Sequence, residues 1–406
     1  MKSNSSAVKA RMPHQAMSVR YQLRIRNADG SIARELPATK NLIMDTGLDA
    51  YASHLSADLF RFACVGTGTD PVVRYSAPAV VSQAGGGVNN CTSDIPFFQP
   101  TDVGKILKIG AQGSGSAGAE QYITAYLNSQ TVTTSSSTVF TSQPCAIWYV
   151  DQTTLQTQSK STQTYTGSGN DTVDTVGAGI LTRTYTRVFV FSAEVGTVTY
   201  NEVGWSWDGT NIYGRDLILP AGITLAVTQQ LEVTLQVSFI ISPTQPTPVA
   251  DVSGGLWDTS GNSCVEFVGT THQLLATILP DGSIDTGIFG YAIEPKTSEF
   301  INAMMIQGAW TQVANILVGA NPNANAQNFI GLTPASYVPG SFSRDALTTI
   351  GLGSLNGITW TGIGVGSSSG NPSWNWSLQF TTPNSKDSSH TLSFTITLTW
   401  GRILVN

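Results

Sequence analysis

Four carboxylates close together in the sequence are the first residues that could do chemistry. They are Glu194, Glu202, Asp208 and Asp216. Glycoside hydrolysis uses two carboxyl groups on either side of the scissile bond, and their separation in space decides whether they can act together. The four residues are therefore candidates for an acid and a base, although their spacing in sequence does not show which of them converge.

Tryptophans are a second candidate, because an indole ring can stack on a sugar. Trp205 and Trp207 alternate near these carboxylates, and Trp374 and Trp376 alternate near the end of the chain. Alternating tryptophans in strands are more often divided between the core and an interface. Trp374 and Trp376 are retained as the candidate contacts for a glycan.

Two glycine motifs match known signatures only formally. Residues 113–118 fit G-x-G-x-x-G and residues 366–370 fit G-x-S-x-G. A dinucleotide site needs its glycines inside a βαβ unit, and a nucleophile elbow needs a helix after its serine, whereas the flanking sequence here predicts strands and loops. The four histidines also lack partners at metal-ligand spacing. We therefore expect no catalytic residue, no metal and no cofactor.

Positive charge is concentrated at the start of the chain. The net charge is −6, yet seven basic residues and one acidic residue precede Glu35. Arg20, Arg24 and Arg26 alternate, so they would share one face of a strand. Since the rest of the chain is acidic, an acidic protein surface is favoured over nucleic acid as their partner. The candidate partner-binding residues are Lys9, Arg11, Arg20, Arg24 and Arg26.

Composition and periodicity favour a mainly β protein. Charged residues make up 11% of the chain, well below the usual ~25%, and there are 40 glycines. Apolar residues alternate over 18–26, 184–191 and 231–239, as in half-buried strands. One short helix is predicted from the helical spacing of Leu48, Tyr51, Ala52 and Leu55. No apolar run is long enough to span a membrane as a helix.

The domain organisation is predicted from a linker and a repeat. Residues 243–248 (PTQPTP) are stiff and cannot pair inside a sheet. The pattern of 231–239 recurs at 392–400, with apolar residues at all five inward positions. We expect two tandem antiparallel β-sandwiches, a small β-module inserted in the first, and one or two short helices. The predicted boundaries are a basic arm over 1–17, a first sandwich over 18–92 plus 151–245, the inserted module over 93–150, and a second sandwich over 246–406.

Several motifs, in their order along the chain, resemble virion structural proteins of tailed bacteriophages. They are residues 41–49 (NLIMDTGLD), 62–70 (FACVGTGTD), 201–205 (NEVGW), 214–217 (GRDL) and the strand over 231–239. Residues 98–105 (FQPTDVGK) also resemble a β-module of phage tail-associated proteins. The resemblance implies a non-enzymatic tail, neck or fibre-associated protein that assembles symmetrically and is made without a signal peptide. It carries over no functional residues.

The expected function is therefore structural. Neutral side chains and free strand edges can be buried against neighbours without the large desolvation cost of charges. We expect a virion subunit that assembles with copies of itself and with other virion proteins, with no role in a membrane. The alternative is a receptor-binding or carbohydrate-binding tail adhesin in which Trp374 and Trp376 contact a host-surface glycan. A third reading, a glycan-degrading tail enzyme, would depend on Glu202 or Asp208.

Overall fold

The structure is a computed structural model of the chain. It describes residues 7–11, 15–54, 56–84, 89–110, 120–177, 180–241, 329–367, 373–385, 387–388 and 391–402, with short strands between 252 and 319. The fold is mainly β, as the sequence predicts.

The elements are numbered in chain order. The helices are α1 (Asp45–Tyr51) and α2 (Ser56–Leu59), and a 3₁₀ turn covers Pro100–Asp102. The strands of the first part are β1 (Ala7–Arg11), β2 (Gln15–Arg26), β3 (Ile32–Glu35), β4 (Thr39–Ile43), β5 (Phe62–Gly66), β6 (Val73–Gln83), β7 (Asn90–Ser93), β8 (Ile106–Ile109), β9 (Glu120–Asn128), β10 (Thr131–Thr134), β11 (Phe140–Trp148), β12 (Gln158–Thr162), β13 (Tyr165–Gly177), β14 (Ile180–Val190), β15 (Val198–Tyr200), β16 (Glu202–Ser206), β17 (Ile212–Leu217), β18 (Ile223–Leu225) and β19 (Gln230–Ile241).

The second part contains shorter strands followed by four longer ones. They are β20 (Val252–Ser253), β21 (Gly255–Trp257), β22 (Ser263–Glu266), β23 (Thr271–Gln273), β24 (Thr277–Ile278), β25 (Ile284–Asp285), β26 (Asn302–Ile306), β27 (Trp310–Val313), β28 (Ile316–Gly319), β29 (Phe329–Gly331), β30 (Thr333–Pro334), β31 (Ser343–Ile350), β32 (Thr359–Ser367), β33 (Ser373–Ser385) and β34 (Leu392–Arg402).

The main sheet runs in the order β12-β5-β16-β17-β4-β2-β19-β14-β13. Strand β4 is its corner, because it pairs with β17 on one side and with β2 on the other. Trp205 of β16 is fully buried and packs against Tyr21 of β2 and Phe189 of β14, with ring centroids 5.9 and 6.4 Å apart. The two halves of the sheet therefore face each other across one hydrophobic core.

Alternation of apolar residues explains why β19 lies inside this sheet, with a strand on each side. Leu231, Val233, Leu235, Val237 and Phe239 have no exposed surface, and successive inward residues of a strand lie two positions apart. The strand pairs with β2 along its length on one side and with β14 on the other. The predicted strand over 231–239 is confirmed.

The inserted module is a closed six-stranded barrel in the order β10-β7-β6-β11-β8-β9. It has a core of its own, which includes Val81, Leu107 and Ile147. The barrel begins at Val73, before the boundary predicted at 93, because β6 and β7 are needed to close it. Two connectors, residues 67–72 and 149–157, join the barrel to the rest, which we call the body.

The end of the chain packs into the body. Strand β34 runs parallel to β1 and to the beginning of β2, and antiparallel to β31. Its inward residues Ile396, Leu398 and Trp400 belong to the same hydrophobic core as β2 and β19. The described residues of 331–359 and 391–402 therefore differ from the separate second sandwich predicted over 246–406. Most of 246–328 lies outside the described residues, and its sandwich stays a prediction.

The N-terminal boundary also differs from the predicted one. Strand β2 begins at Gln15, and Gln15 and Met17 have no exposed surface. Residues 7–11 form β1, which pairs with β34. Part of the predicted arm over 1–17 is therefore built into the sheet, because residues 15 and 17 continue the inward alternation of β2.

The predicted repeat has a structural counterpart in two antiparallel strand pairs, β14 with β19 and β31 with β34. Each pair supplies one buried arginine to the segment that contains the helices. Arg187 donates to the carbonyl of Phe60 at 2.8 Å, and Arg344 donates to that of Ala52 at 3.1 Å. The two pairs thus hold this segment from different strands with the same type of contact.

Helix α1 is clamped between β17 and β34. Leu48, Tyr51 and Ala52 are buried as predicted, while Leu55 lies outside the described residues. Trp400 donates its indole N–H to the carbonyl of Leu48 at 2.8 Å, and its ring packs edge-on against Tyr51. The helix is therefore fixed by side chains that come from the far end of the chain.

The substitution Gly47→Ala tests how closely α1 approaches β17. Alanine normally stabilises a helix relative to glycine by about 1 kcal/mol. Here an added Cβ would lie 2.3 Å from the backbone oxygen of Tyr213, so we expect a loss of about 1–3 kcal/mol of unfolding free energy in urea titrations. The control Gly196→Ala meets no atom within 4 Å and should stay within about 0.5 kcal/mol. Equal effects of the two substitutions would contradict this packing.

Candidate functional site

Three of the motifs that carry the phage resemblance, 62–70, 201–205 and 214–217, meet at one place in the body. Glu202 and Arg215 lie on the adjacent strands β16 and β17, and their side chains form a buried ion pair with Nε to Oε2 at 2.8 Å. The motif over 62–70 supplies the beginning of the first connector, directly beside this pair. We call Glu202, Arg215 and the connector groups that bind them the connector clamp.

Glu202 holds backbone amides of both connectors. Its Oε1 accepts hydrogen bonds from the amides of Gly68 at 3.2 Å and Thr157 at 2.7 Å. Its Oε2 accepts from the amide of Gln156 at 3.0 Å as well as from Arg215. The side chain has no exposed surface. A carboxylate has about four acceptor positions, so these four bonds use all of them.

Arg215 completes the clamp from the other side. Its Nη1 donates to Oε1 of Gln152 at 2.5 Å, and its Nη2 donates to the carbonyl of Asp70 at 3.0 Å. Asp70 belongs to the connector that enters the barrel, and Gln152 to the one that leaves it. One buried ion pair therefore ties both connectors together where they meet the body.

Two glycines make room for the carboxylate. A Cβ on Gly68 would lie 2.6 Å from Oε1 of Glu202, and a Cβ on Gly66 would lie 2.3 Å from the carbonyl of Thr157. Real Cβ contacts are never this short, so the pattern G-x-G over 66–68 is required by the clamp. Glu202 therefore fixes the position of the connectors. Its carboxylate binds their backbone amides and has no free acceptor position for a substrate proton.

The other predicted carboxylates are occupied separately. Glu194 is buried and accepts hydrogen bonds from Lys160 at 2.7 Å and Tyr200 at 2.9 Å. Asp208 closes a turn by accepting from the amides of Thr210 and Asn211. Burial works to raise the pKa of Asp208, but these and other hydrogen bonds outweigh it and lower that pKa.

Asp216 lies on the opposite face of the sheet from Glu202. In the register of β16 and β17, Val203 faces Asp216 and Glu202 faces Leu217. Because neighbouring residues of a strand point to opposite faces, the two carboxylates are separated by the sheet. Glu202 and Asp216 therefore do not form the predicted acid and base pair.

Asp216 contacts Tyr21, whose hydroxyl donates to Oδ2 at 3.1 Å. Burial raises the pKa of Asp216 to about 6, although the hydrogen bonds from Tyr21 and from the amide of Leu217 work to lower it. Burial, followed by the charge of Asp216, raises the pKa of the Tyr21 hydroxyl. The pair joins β2 to β17, which belong to opposite halves of the main sheet.

The structure places the predicted basic residues on β1 and β2. Arg24 and Arg26 both contact the buried Glu232, and Arg24 also pairs with Glu35 at 2.8 Å. Their charges are therefore balanced inside the chain. Arg20 is exposed on the same face and lies opposite Lys40 of β4. Lys9 and Arg11 lie on β1, and their side chains are outside the described residues.

The predicted tryptophans are separated in the fold. Trp205 is buried in the core, and Trp207 packs against His54 with ring centroids 5.6 Å apart. Trp374 and Trp376 lie on β33, and the described residues do not include their side chains. The motif over 113–118 and most of that over 366–370 also lie outside the described residues.

A polar cleft of about 470 Å³ lies between β12 and the end of β14. Hydroxyl and charged side chains line much of it: Lys160, Ser161, Thr162, Thr164 and Ser192. In the part of the chain that the structure describes, no group of three metal-ligating side chains converges. Over the same residues, no helix has the length and apolar character needed to cross a membrane.

Comparisons of the chain with protein-family models, with curated proteins and with solved structures found no match.

The substitution Glu202→Gln tests the connector clamp. Breaking a buried ion pair typically costs about 3–5 kcal/mol, because the remaining charge is left without its partner. We expect a loss of this size in the free energy of unfolding measured by urea titration. The matched control is Glu35→Gln, which removes an exposed partner of Arg24 and should cost less than about 1 kcal/mol. A loss as small as the control's would show that the clamp does not support the fold.

Asp216 predicts a pH dependence with a definite sign. Its pKa is about 6 in the folded chain and about 3.9 in an unfolded one, so the folded state holds the proton more tightly. The free energy of unfolding should therefore fall as the pH rises from about 4 to about 6, by up to about 3 kcal/mol. Asp216→Asn should remove this fall relative to the wild-type chain in urea titrations across that range. Parallel curves for the two proteins would contradict the assignment.

Proposed function

We propose that this protein is a non-enzymatic structural subunit of a tailed-phage particle, in a tail, neck or fibre-attachment component. It would assemble with copies of itself and with other virion proteins, and would be located in the virion. The observation that carries the assembly role is the free edge of the main sheet at β13. The resemblance of the sequence motifs, three of which contribute to the connector clamp, supports the phage assignment.

Strand β13 is 13 residues long and pairs on one side with β14. Among the described residues it has no strand on its other side. Edge strands present unpaired backbone N–H and C=O groups, and soluble proteins commonly protect them with lysine or proline. The sequence of β13, YTGSGNDTVDTVG, contains neither, and its charged residues are two aspartates, Asp171 and Asp174. Such an edge suits addition of a strand from a neighbouring subunit.

Exposed apolar side chains on the body also favour burial against a neighbour. Val195 is 98% exposed and Val227 is 52% exposed. Their loops are joined by a hydrogen bond from the Thr228 amide to the Glu194 carbonyl at 2.8 Å. Two exposed apolar residues thus lie on neighbouring loops joined by this hydrogen bond, where a subunit contact would remove them from water.

The connector clamp supports the same role. A barrel mounted on the body through two connectors would swing if those connectors were free. Here they are tied to Glu202 and Arg215, and Lys105 of the barrel pairs with Asp151 beside them. A module held in one orientation suits a permanent assembly with fixed geometry between its components.

Lysine substitutions in β13 test whether its edge pairs with a neighbouring subunit. The double substitution Val173→Lys/Thr175→Lys should block strand addition, because lysines on an edge oppose pairing with a second chain. Both positions lie opposite residues of β14, Thr184 and Thr182, on the face away from the buried Tyr185. We expect the wild-type chain to form a defined oligomer by mass measurement in solution and the double variant to lose it. The control Gly353→Lys/Ser354→Lys adds the same charge at an exposed turn and should leave the oligomer intact. A monomeric wild-type chain that is also absent from purified phage particles would refute the proposal.

The polar cleft favours a second candidate function, binding of a host-surface glycan as a tail adhesin. Several hydroxyls line this cleft, and Gln230 lies at its border. A volume of about 470 Å³ is in the range of small-ligand sites. Selective binding of the full-length chain on a glycan array, lost on Ser161→Leu, would favour this candidate. If no glycan on the array binds, the adhesin candidate is rejected and the structural role is the one that remains.

A further inference from the structure

The half of the main sheet that ends at β13 has a second edge, at β3. Across this half the strands run in the order β3-β2-β19-β14-β13, and each neighbouring pair is antiparallel. Strand β3 pairs with β2 on one side, and among the described residues no strand lies on its other side. Because each of these pairings reverses the direction of the chain, β3 and β13 point the same way.

Strand β3 is accessible along its whole length. All of its residues, Ile32 to Glu35, are exposed, and Ile32 is 50% exposed although it is apolar. Like β13, β3 contains no lysine and no proline, the residues that commonly protect a free edge. Pro37 follows β3 and limits the length of this unprotected edge. Strand β3 can therefore accept a short strand from another chain.

The two edges carry opposite charge. The charged residues of β13 are Asp171 and Asp174. Strand β3 carries Arg34 and Glu35, but Glu35 is already paired with Arg24 of β2 at 2.8 Å. Arg34 is exposed, and over the described residues no carboxylate lies within ion-pairing distance of it. The edge at β3 is therefore positive, and the edge at β13 is negative.

These charges disfavour pairing of β13 with β13 of a second copy. Such a contact is two-fold symmetric, because both chains use the same strand. It would bring the aspartates of both copies into one two-stranded ribbon, and like charges on facing strands are destabilising. A negative β13 against a positive β3 avoids this repulsion.

The free edge of the other half of the sheet, β12, is less suitable than β3. Strand β12 contains Lys160, and a lysine on an edge opposes the addition of a strand. The charge of Lys160 is also already balanced by Glu194 at 2.7 Å. The favoured partner of β13 is therefore β3.

Arg34 and Asp174 lie on the same face of the sheet. Arg34 is paired in register with Ile25, which is buried in the core. Asp174 is paired with Arg183, which shares one face of β14 with the buried Tyr185. Cross-strand partners share a face, as do residues two apart in a strand. When two copies join edge to edge, both residues are therefore on the core-facing side of the combined sheet.

We propose that β13 of one copy adds in parallel to β3 of a second copy, with Asp174 of the first facing Arg34 of the second. This inference rests on the proposed function and names the partner of the β13 edge. The pairing is parallel because β3 and β13 point the same way in each chain. The contact is heterologous, so each joined pair keeps one free β3 and one free β13, and further copies add head to tail.

Exchange of the two charges tests this contact in the full-length chain. Arg34→Glu and Asp174→Arg should each raise the dissociation constant between copies at least about tenfold in sedimentation measurements, because like charges then face each other. The double variant should return this constant to within about threefold of the wild-type value, because the pair is restored in reverse. An equimolar mixture of the two single variants should assemble as well. The matched control Arg61→Glu reverses an exposed arginine outside β3 and should have no effect.

Cysteine cross-linking keeps the test decisive if a charge variant does not fold. Under mild oxidation Arg34→Cys/Asp174→Cys should give disulfide-linked dimers and longer chains of copies, whereas each single variant should give none. Stronger assembly of Asp174→Arg, or cross-linking of Asp174→Cys with itself, would show that β13 pairs with β13. Either result would overturn the inference and leave the proposed function standing, as would a wild-type oligomer that none of these substitutions affects. A monomeric wild-type chain would also overturn the inference, and the proposed function fails with it only if the chain is absent from phage particles.

Discussion

The ion pair between Glu202 and Arg215 is the contact on which the arrangement of the barrel and the body depends. Both side chains are almost completely removed from water, and each uses its remaining hydrogen-bonding groups on a connector. Removing two charges from water is costly, and a buried pair is tolerated only when its geometry and its additional hydrogen bonds are good. Here the additional bonds are to the backbone of both connectors, so the cost of burial is offset by fixing their paths.

This constraint also explains small residues around the clamp. Gly204 lies so close to Leu155 that a Cβ would be 2.8 Å from its side chain, and a Cβ on Gly214 would be 2.3 Å from Asn41. Gly66, Gly68 and Gly204 therefore serve one packing requirement, whereas Gly214 makes room on the opposite face of the sheet, the face that carries Trp205. The end of the chain adds a second constraint, since Trp400 and Tyr337 reach α1 through Leu48 and Asp49. The barrel is thus mounted on a body that is closed by its own last strand.

Much of the fold could be predicted because strand alternation is a local signal. The inward residues of β19 and the buried stripe of α1 are visible in the sequence without any partner. The boundary of the barrel cannot be predicted from local alternation, because closure depends on β6 pairing with both β7 and β11, which only the register shows. The sequence predicts a separate domain for the last strand, because its alternation is equally suitable for any β core. Its parallel pairing with β1 and β2 joins residues at opposite ends of the chain, and alternation within one strand does not show such pairing.

The candidate site was less predictable. Glu202 and Asp216 are close in sequence, whereas the register of β16 and β17 places them on opposite faces of the sheet. The signal that could have indicated the clamp was the combination of G-x-G over 66–68 with a glutamate and an arginine in neighbouring strands. Arg24 and Arg26 alternate as predicted, but their internal partner Glu232 lies on β19, far away in sequence. The types and spacing of side chains thus indicate candidate site residues, and the pairing of the strands determines which side chains meet.

Hydrogen exchange of three backbone amides tests the central claim most directly. The amides of Gly68, Gln156 and Thr157 all donate to Glu202. If the clamp holds the connectors, these amides should exchange as slowly as those of β16 and β17, although Gln156 and Thr157 belong to exposed residues of a loop. Exchange at the rate of an unprotected loop would show that the connectors open independently of the fold, and would contradict the account.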